Sequence, residues 1–315
     1  MAGSLAANRA GTGDTLPTAQ ARSAAADAPS GRFFFFHVPK TGGVTIYKAF
    51  ERSGAVVRPK KKGGSYVDVA LARKSYLPDA GRHGDPHIAG HFASLSIIEG
   101  REAHYHKVCF WRHPADWFLS YYNWRRGRER ERLQRAYKFD DFARTLMRNP
   151  MTQEFLLYCG DVPGWRYFFS SDREKFDRAL ALALKFDLFA DISKVDDYLR
   201  SLGLADEGAV KHYNAIPERE KALRALDAGT RRRLEREHPV DLYLSRVALG
   251  ENVEAVVAEA HRELETAFQV QDVVRQLLRP YYRLKVKVLP FLRWGQIGSV
   301  SSLLLAAEQA LDFLI

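Results

Sequence analysis

The chain has 315 residues, 46% hydrophobic and 27% charged, enough apolar material for one large α/β domain with an appendage. Its 48 lysines and arginines exceed its 38 acids by ten, so an anionic cofactor, an acidic glycan, nucleic acid or lipid headgroups are the partners that charge favours. Two cysteines exclude a disulfide framework, and no apolar run approaches the length of a transmembrane helix, so an intracellular, cytoplasmic setting is the expectation.

Residues 1–31 are rich in Ala, Gly, Ser and Thr with scattered Arg, lack aromatics and have no continuous apolar stretch, which predicts a disordered leader. Phe33 to Val38 follows, too short and too continuously apolar for an amphipathic helix, and reads as a strand buried on both faces of a parallel sheet. Pro39-Lys40-Thr41-Gly42-Gly43 breaks the run. Apolar residues then return at Val44, Ile46, Tyr47 and Phe50, a helical face that Gly54 is placed to end. Free backbone N–H groups at that helix start, with Lys40 and the hydroxyls of Thr41 and Thr45, form a nest for phosphate or sulfate. An ordinary strand-to-helix turn with a solvated lysine is the plainer alternative. A Walker A loop has its lysine after the glycines, whereas here Lys40-Thr41 precedes them, so an ordinary ATP or GTP loop is disfavoured.

Arg58-Pro-Lys-Lys-Lys62 is a basic patch in an expected loop, suited to steering an anion. His83, His87 and His91 recur every four residues, but Gly84 and Pro86 break the helix that would align them on a metal. Lys107 to Trp111 is a second short apolar strand. Arg112 leaves its C-terminal end, Pro114 suits a first helical turn, and Ser120 lies on the helix that follows. The plain readings are a core ion pair for Arg112 and a self-bonded helix hydroxyl for Ser120. The mixed runs Arg125 to Arg132 and Arg231 to Arg236 contain glutamates at helical spacing and read as solvated helix faces. No nucleic-acid recognition motif accompanies the charge, so no nucleic acid is expected.

Pro39-Lys-Thr-Gly-Gly-Val-Thr45 and Arg112-His-Pro, followed after five residues by Ser120-Tyr-Tyr-Asn, together resemble the two donor-binding signatures of sulfotransferases that use 3′-phosphoadenosine 5′-phosphosulfate (PAPS). The likeness is to carbohydrate sulfotransferases of the heparan sulfate 2-O-sulfotransferase type and their bacterial relatives. It spans roughly residues 33–245. His87-Ile-Ala-Gly-His91-Phe is similar to the segment carrying that group's catalytic histidine. Asn149-Pro-Met-Thr-Gln153 is similar to an Asn-x-x-Thr-Arg segment, with Gln153 where arginine is usual. Phe186 to Leu199, Tyr213-Asn214 and Asp241-Leu-Tyr243 follow the order of later helices.

The resemblance implies an α/β, P-loop-like fold with a central parallel sheet flanked by helices. It implies that Pro39, Lys40, Thr41, Gly42, Gly43, Val44 and Thr45 hold the 5′ end of PAPS, and Arg112 and Ser120 its 3′-phosphate. Lys40 would stabilise the leaving phosphate oxygen and His91 would take the proton from the attacking hydroxyl, with no metal required. The implied acceptor is a carbohydrate or glycoconjugate. The expected organisation is a leader over 1–31, a catalytic domain over 32–249 and a helical appendage over 250–315. In the appendage, Val253, Val256, Val257, Ala260, Leu264 and Phe268 have helical periodicity. Val273 to Trp294 combines aromatics and bases without an acid, interrupted by Pro280 and Pro290, and suggests either packing on the catalytic domain or a peripheral membrane contact. Remaining alternatives are a nucleotide-dependent phosphoryl transferase and a non-catalytic binder of anionic glycans or nucleic acid.

Overall fold

The computed structural model describes residues 32–53, 56–57, 87–127, 138–204 and 223–267. The leader, the basic patch at 58–62, His83, Tyr213-Asn214 and the chain beyond 267 lie outside the described residues.

Alternation of side chains to opposite sides of a strand explains why Phe33-Phe-Phe-Phe36 is apolar throughout. Strand β1 (Arg32–Phe36) lies in the middle of a parallel sheet. Phe34 and Phe36 point into the core on one face, Phe33 and Phe35 into the core on the other, and none is more than 5% exposed. Each such ring contributes roughly 1.5–3 kcal/mol relative to an exposed one. The strand is shorter than the apolar run, because His37 and Val38 already belong to the loop: the N–H of Thr41 turns back to the Val38 carbonyl at 3.3 Å.

The sheet has the order β2-β3-β1-β4-β5, all parallel, with β2 (Val56–Val57) a two-residue edge, β3 (His87–Gly90), β4 (Tyr105–Trp111) and β5 (Leu188–Asp191). The protein is thus α/β with a central parallel sheet. Helix α1 (Gly43–Ser53) returns from β1 over one face, where Ile46, Tyr47 and Phe50 meet Phe33 and Phe35. Helix α2 (Pro114–Arg126) returns from β4 over the other, where Trp117, Phe118 and Tyr122 join Phe34 and Phe36. Connections leaving neighbouring strands for opposite faces open a crevice at the carboxyl ends of β1 and β4, where open α/β sheets bind ligands.

On the α2 face lie α3 (Phe139–Arg144), α4 (Pro150–Glu154), which continues as a π-turn over Phe155–Cys159, α5 (Gly164–Phe168) and α6 (Asp172–Ala183). Helix α7 (Val195–Ser201) follows β5 and packs Val195 and Leu199 with α1. Helix α8 (Ala228–Glu237) contributes the buried Leu234, while Arg231 pairs with Asp116 on α2 and Arg233 with Asp140 on α3. Its arginine run is therefore a docked helix with a charged rim. Helices α9 (Pro239–Leu249) and α10 (Val253–Glu263) follow, and Val256, Ala260 and Leu264 share the core of Val240 and Leu244. Packing is continuous across residue 250. Among the described residues no helix is long and apolar enough to cross a membrane.

Candidate functional site

Parallel strands deliver their C-terminal ends to one edge, and here that edge collects His37 to Gly43 after β1, His91 after β3 and Arg112 after β4. The loop turns through two left-handed residues, Lys40 at φ +65° and Gly42 at φ +79°. Glycine accepts that conformation freely; for lysine it costs on the order of 1 kcal/mol and must be held by its surroundings.

The second motif does the holding. Arg112 Nη1 donates to the Lys40 carbonyl at 3.2 Å, and Trp117 Nε1 donates to the Pro39 carbonyl at 2.6 Å. The Lys40 ammonium lies over the Trp124 ring, 5.5 Å from its centroid. Trp117, Tyr121 and Trp124 recur at helical spacing along α2 with their tilted rings in contact in series, and the first and last of them meet the loop. Ser120, three residues after Trp117 and four before Trp124, is on the flank of that series and partly exposed. With two loop carbonyls engaged by Arg112 and by Trp117 of α2, the N–H groups of Gly43 and Val44 stand ahead of the first intrahelical bonds, those of Thr45 and Ile46 to the Gly42 carbonyl at 3.0 and 3.3 Å. A helix start with free donors, a lysine and a half-buried arginine together suit a polyanion.

Thr41 turns its side chain inward. Its side chain is fully buried and its hydroxyl donates to the Val38 carbonyl at 2.8 Å, so it closes the loop from below. Thr45 is also buried, and Val44 is partly exposed beside it. Burial lowers the Arg112 pKa from its ordinary value, opposed by the carboxylates of Asp116 and Asp191.

His91 is held from the β1 side. Its Nδ1 lies 2.6 Å from the His37 carbonyl oxygen, which can only accept, so Nδ1 carries the proton and Nε2 keeps its lone pair. Burial lowers the His91 pKa, with the His37 carbonyl partly compensating, which favours the neutral imidazole a general base requires. His87, at the other end of β3, accepts the N–H of Phe33 through Nδ1 at 3.0 Å and is a structural residue. Among the described residues no group of three His, Cys, Asp or Glu side chains is arranged to hold a metal. His113 faces α8, near Arg231 Nη1 at 3.2 Å and Glu235 at 3.4 Å.

The segment Asn149 to Gln153 is built into the interior. Asn149, left-handed at φ +48°, accepts the N–H of Val240 at 3.1 Å through its amide oxygen and donates to Asp172 at 3.3 Å. Asp241 accepts from the N–H of Met151 at 3.2 Å, from the N–H of Thr152 at 2.8 Å and from the Thr152 hydroxyl at 2.5 Å, capping α4. Burial pushes the Asp241 carboxyl up to about 7 against the lowering effect of these bonds. Gln153 is buried with its amide nitrogen lacking a hydrogen-bond partner.

Sequence reasoning singled out Lys40, Arg112 and His91, which the fold gathers at one edge. It passed over His37, Trp117 and Trp124. The spacing of Trp117, Tyr121 and Trp124 was the readable sign of the last two, and His37, one residue before Val38, carried none. No protein-family model matches this chain, and no curated protein matches it.

Proposed function

We propose that the protein is a sulfotransferase of P-loop-like fold that moves a sulfuryl group from PAPS to a hydroxyl of a carbohydrate or glycoconjugate. The observation that carries this reading is the engagement of the first motif by the second: Arg112 and Trp117 bond the carbonyls of Lys40 and Pro39. Two motifs 72 residues apart converge on one loop, as a donor with phosphates at both ends of a nucleoside requires.

The residues present fit such a donor. The N–H groups of Gly43 and Val44 with the Lys40 ammonium are suited to the oxygens of a 5′-phosphosulfate. Arg112 and Ser120, on the β4 side, are suited to a 3′-phosphate. PAPS supplies a sulfuryl group already attached to a phosphate leaving group. Lys40 stabilises the charge that grows on that phosphate, and His91 takes the acceptor proton at Nε2 while Nδ1 stays on the His37 carbonyl. Alignment and charge stabilisation thus fall to side chains and backbone donors.

The strands flanking β1 argue against a metal-dependent phosphoryl transferase. They end in Gly90-His91 and Trp111-Arg112, and the carboxylate at the end of β5, Asp191, accepts the N–H of Ser193 at 2.9 Å. Transfer of labelled sulfate from PAPS to a panel of polysaccharides and glycolipids tests the reading. Turnover by the wild type and its loss in Lys40→Ala are expected; donor binding without turnover on any acceptor favours a non-catalytic binder.

A further inference from the structure

One side chain at this edge belongs to neither motif yet touches both the loop and the base. The His37 ring stacks on His91 with centroids 4.1 Å apart and planes 27° from parallel. Its Nδ1 is 2.9 Å from the Tyr47 hydroxyl on α1. Its third neighbour is Gly43, the first residue of α1, where an added Cβ would lie 2.0 Å from the ring's Cε1 and Nε2. Ordinary contacts begin beyond 3.4 Å, so the ring occupies the space that any other residue at 43 would need. The main chain of His37 completes the arrangement: its N–H donates to the Gly90 carbonyl at 3.0 Å and its carbonyl accepts from His91.

We propose that His37 is a positioning residue that ties the anion loop to His91, its ring wedged between Gly43 and the His91 imidazole and pinned by Tyr47, so that His91 keeps its proton on Nδ1 and offers Nε2 outward. Three independent contacts, a hydrogen bond, a stacked ring and a close fit to glycine, act on one side chain that is 6% exposed. A carbonyl alone permits an imidazole to rotate away; a ring stacked across its face does not. Movement of Gly43 is transmitted to His91 through a body too tightly placed to absorb it.

Calling His91 the base rests on the proposed function, but its tautomer does not. The test is nitrogen-15 NMR of histidine-labelled protein without donor or acceptor, with His91→Gln identifying the resonances. Wild type is expected to show His91 as a single Nδ1-protonated tautomer. His37→Ala should move it toward the Nε2-protonated form that free histidine prefers. Gly43→Ala, which alters neither histidine, should shift it in the same direction, and Tyr47→Phe by less. Folding of each variant is checked by circular dichroism. An unchanged His91 tautomer in folded Gly43→Ala and Tyr47→Phe would overturn the proposal, as would Nε2 protonation in the wild type. Adenosine 3′,5′-bisphosphate titrated into the same samples reports separately on the donor site, so loss of that reading leaves the tautomer result standing.

Discussion

Two polar clusters in this protein are built from the residues that made its sequence legible, and they are built to opposite ends. At the carboxyl edge of β1 and β4, Lys40 and Arg112 are partly open, and the loop carbonyls are engaged by Arg112 and the buried Trp117, which leaves the N–H groups at the start of α1 outside those bonds. In the interior, Asn149, Thr152, Asp172 and Asp241 are all fully buried and bond chiefly to one another and to nearby backbone. The first cluster spends its bonds presenting a surface, the second spends them on itself. A shared motif residue is therefore not evidence of a ligand contact until its partners are known, and Asn149 and Thr152 are scaffold.

The largest effect separating the two should come from His91. His91→Ala is expected to lower the rate of sulfate transfer by about 10²–10⁴-fold while leaving bisphosphate affinity within about twofold. Because burial lowers the His91 pKa, and the proposed general base acts in its neutral form, kcat/KM should stay flat through neutrality and fall only as pH drops below the ordinary histidine value of about 6.5. A pH–rate profile checks the sign; a limb above pH 7 would assign the base elsewhere.

Asp241→Ala should do the reverse. It strands the Thr152 hydroxyl and two backbone donors in the interior, a loss of about 3 kcal/mol read by urea unfolding, with little change in donor affinity of the folded fraction. Trp117→Phe keeps an aromatic ring beside Tyr121, removes the bond to the Pro39 carbonyl and leaves a gap in the core. Roughly fivefold in bisphosphate Kd, about 1 kcal/mol, is expected by calorimetry, together with a lowered thermal midpoint. Smallest is Arg231→Ala, whose pair with Asp116 is about two-fifths exposed on both sides: a loss within about 1 kcal/mol in thermal unfolding, and none in binding.

The parallel sheet was readable because burial on both faces leaves a signature no amphipathic element shares: four consecutive phenylalanines, then a glycine-bearing break. Lys40 and Arg112 were readable because they sit at the ends of such strands. The grip of α2 on the loop was not, since a tryptophan N–H finding a carbonyl 78 residues away is settled by tertiary packing. The inward bond of Thr41 is not legible from its type, because a hydroxyl beside a loop serves an anion or a carbonyl equally well, and here it donates to Val38. His37 was invisible for a related reason. Its meaning comes from the missing Cβ of Gly43 and the ring of His91, neither of which is near it in sequence pattern.

The most direct test is calorimetric titration of adenosine 3′,5′-bisphosphate against AMP and ATP, on the wild type and on Arg112→Ala. The account predicts that the wild type binds the bisphosphate at least about tenfold more tightly than AMP, the worth of one charge-assisted contact, and that Arg112→Ala erases the difference. Equal affinity for AMP and the bisphosphate in the wild type would contradict it.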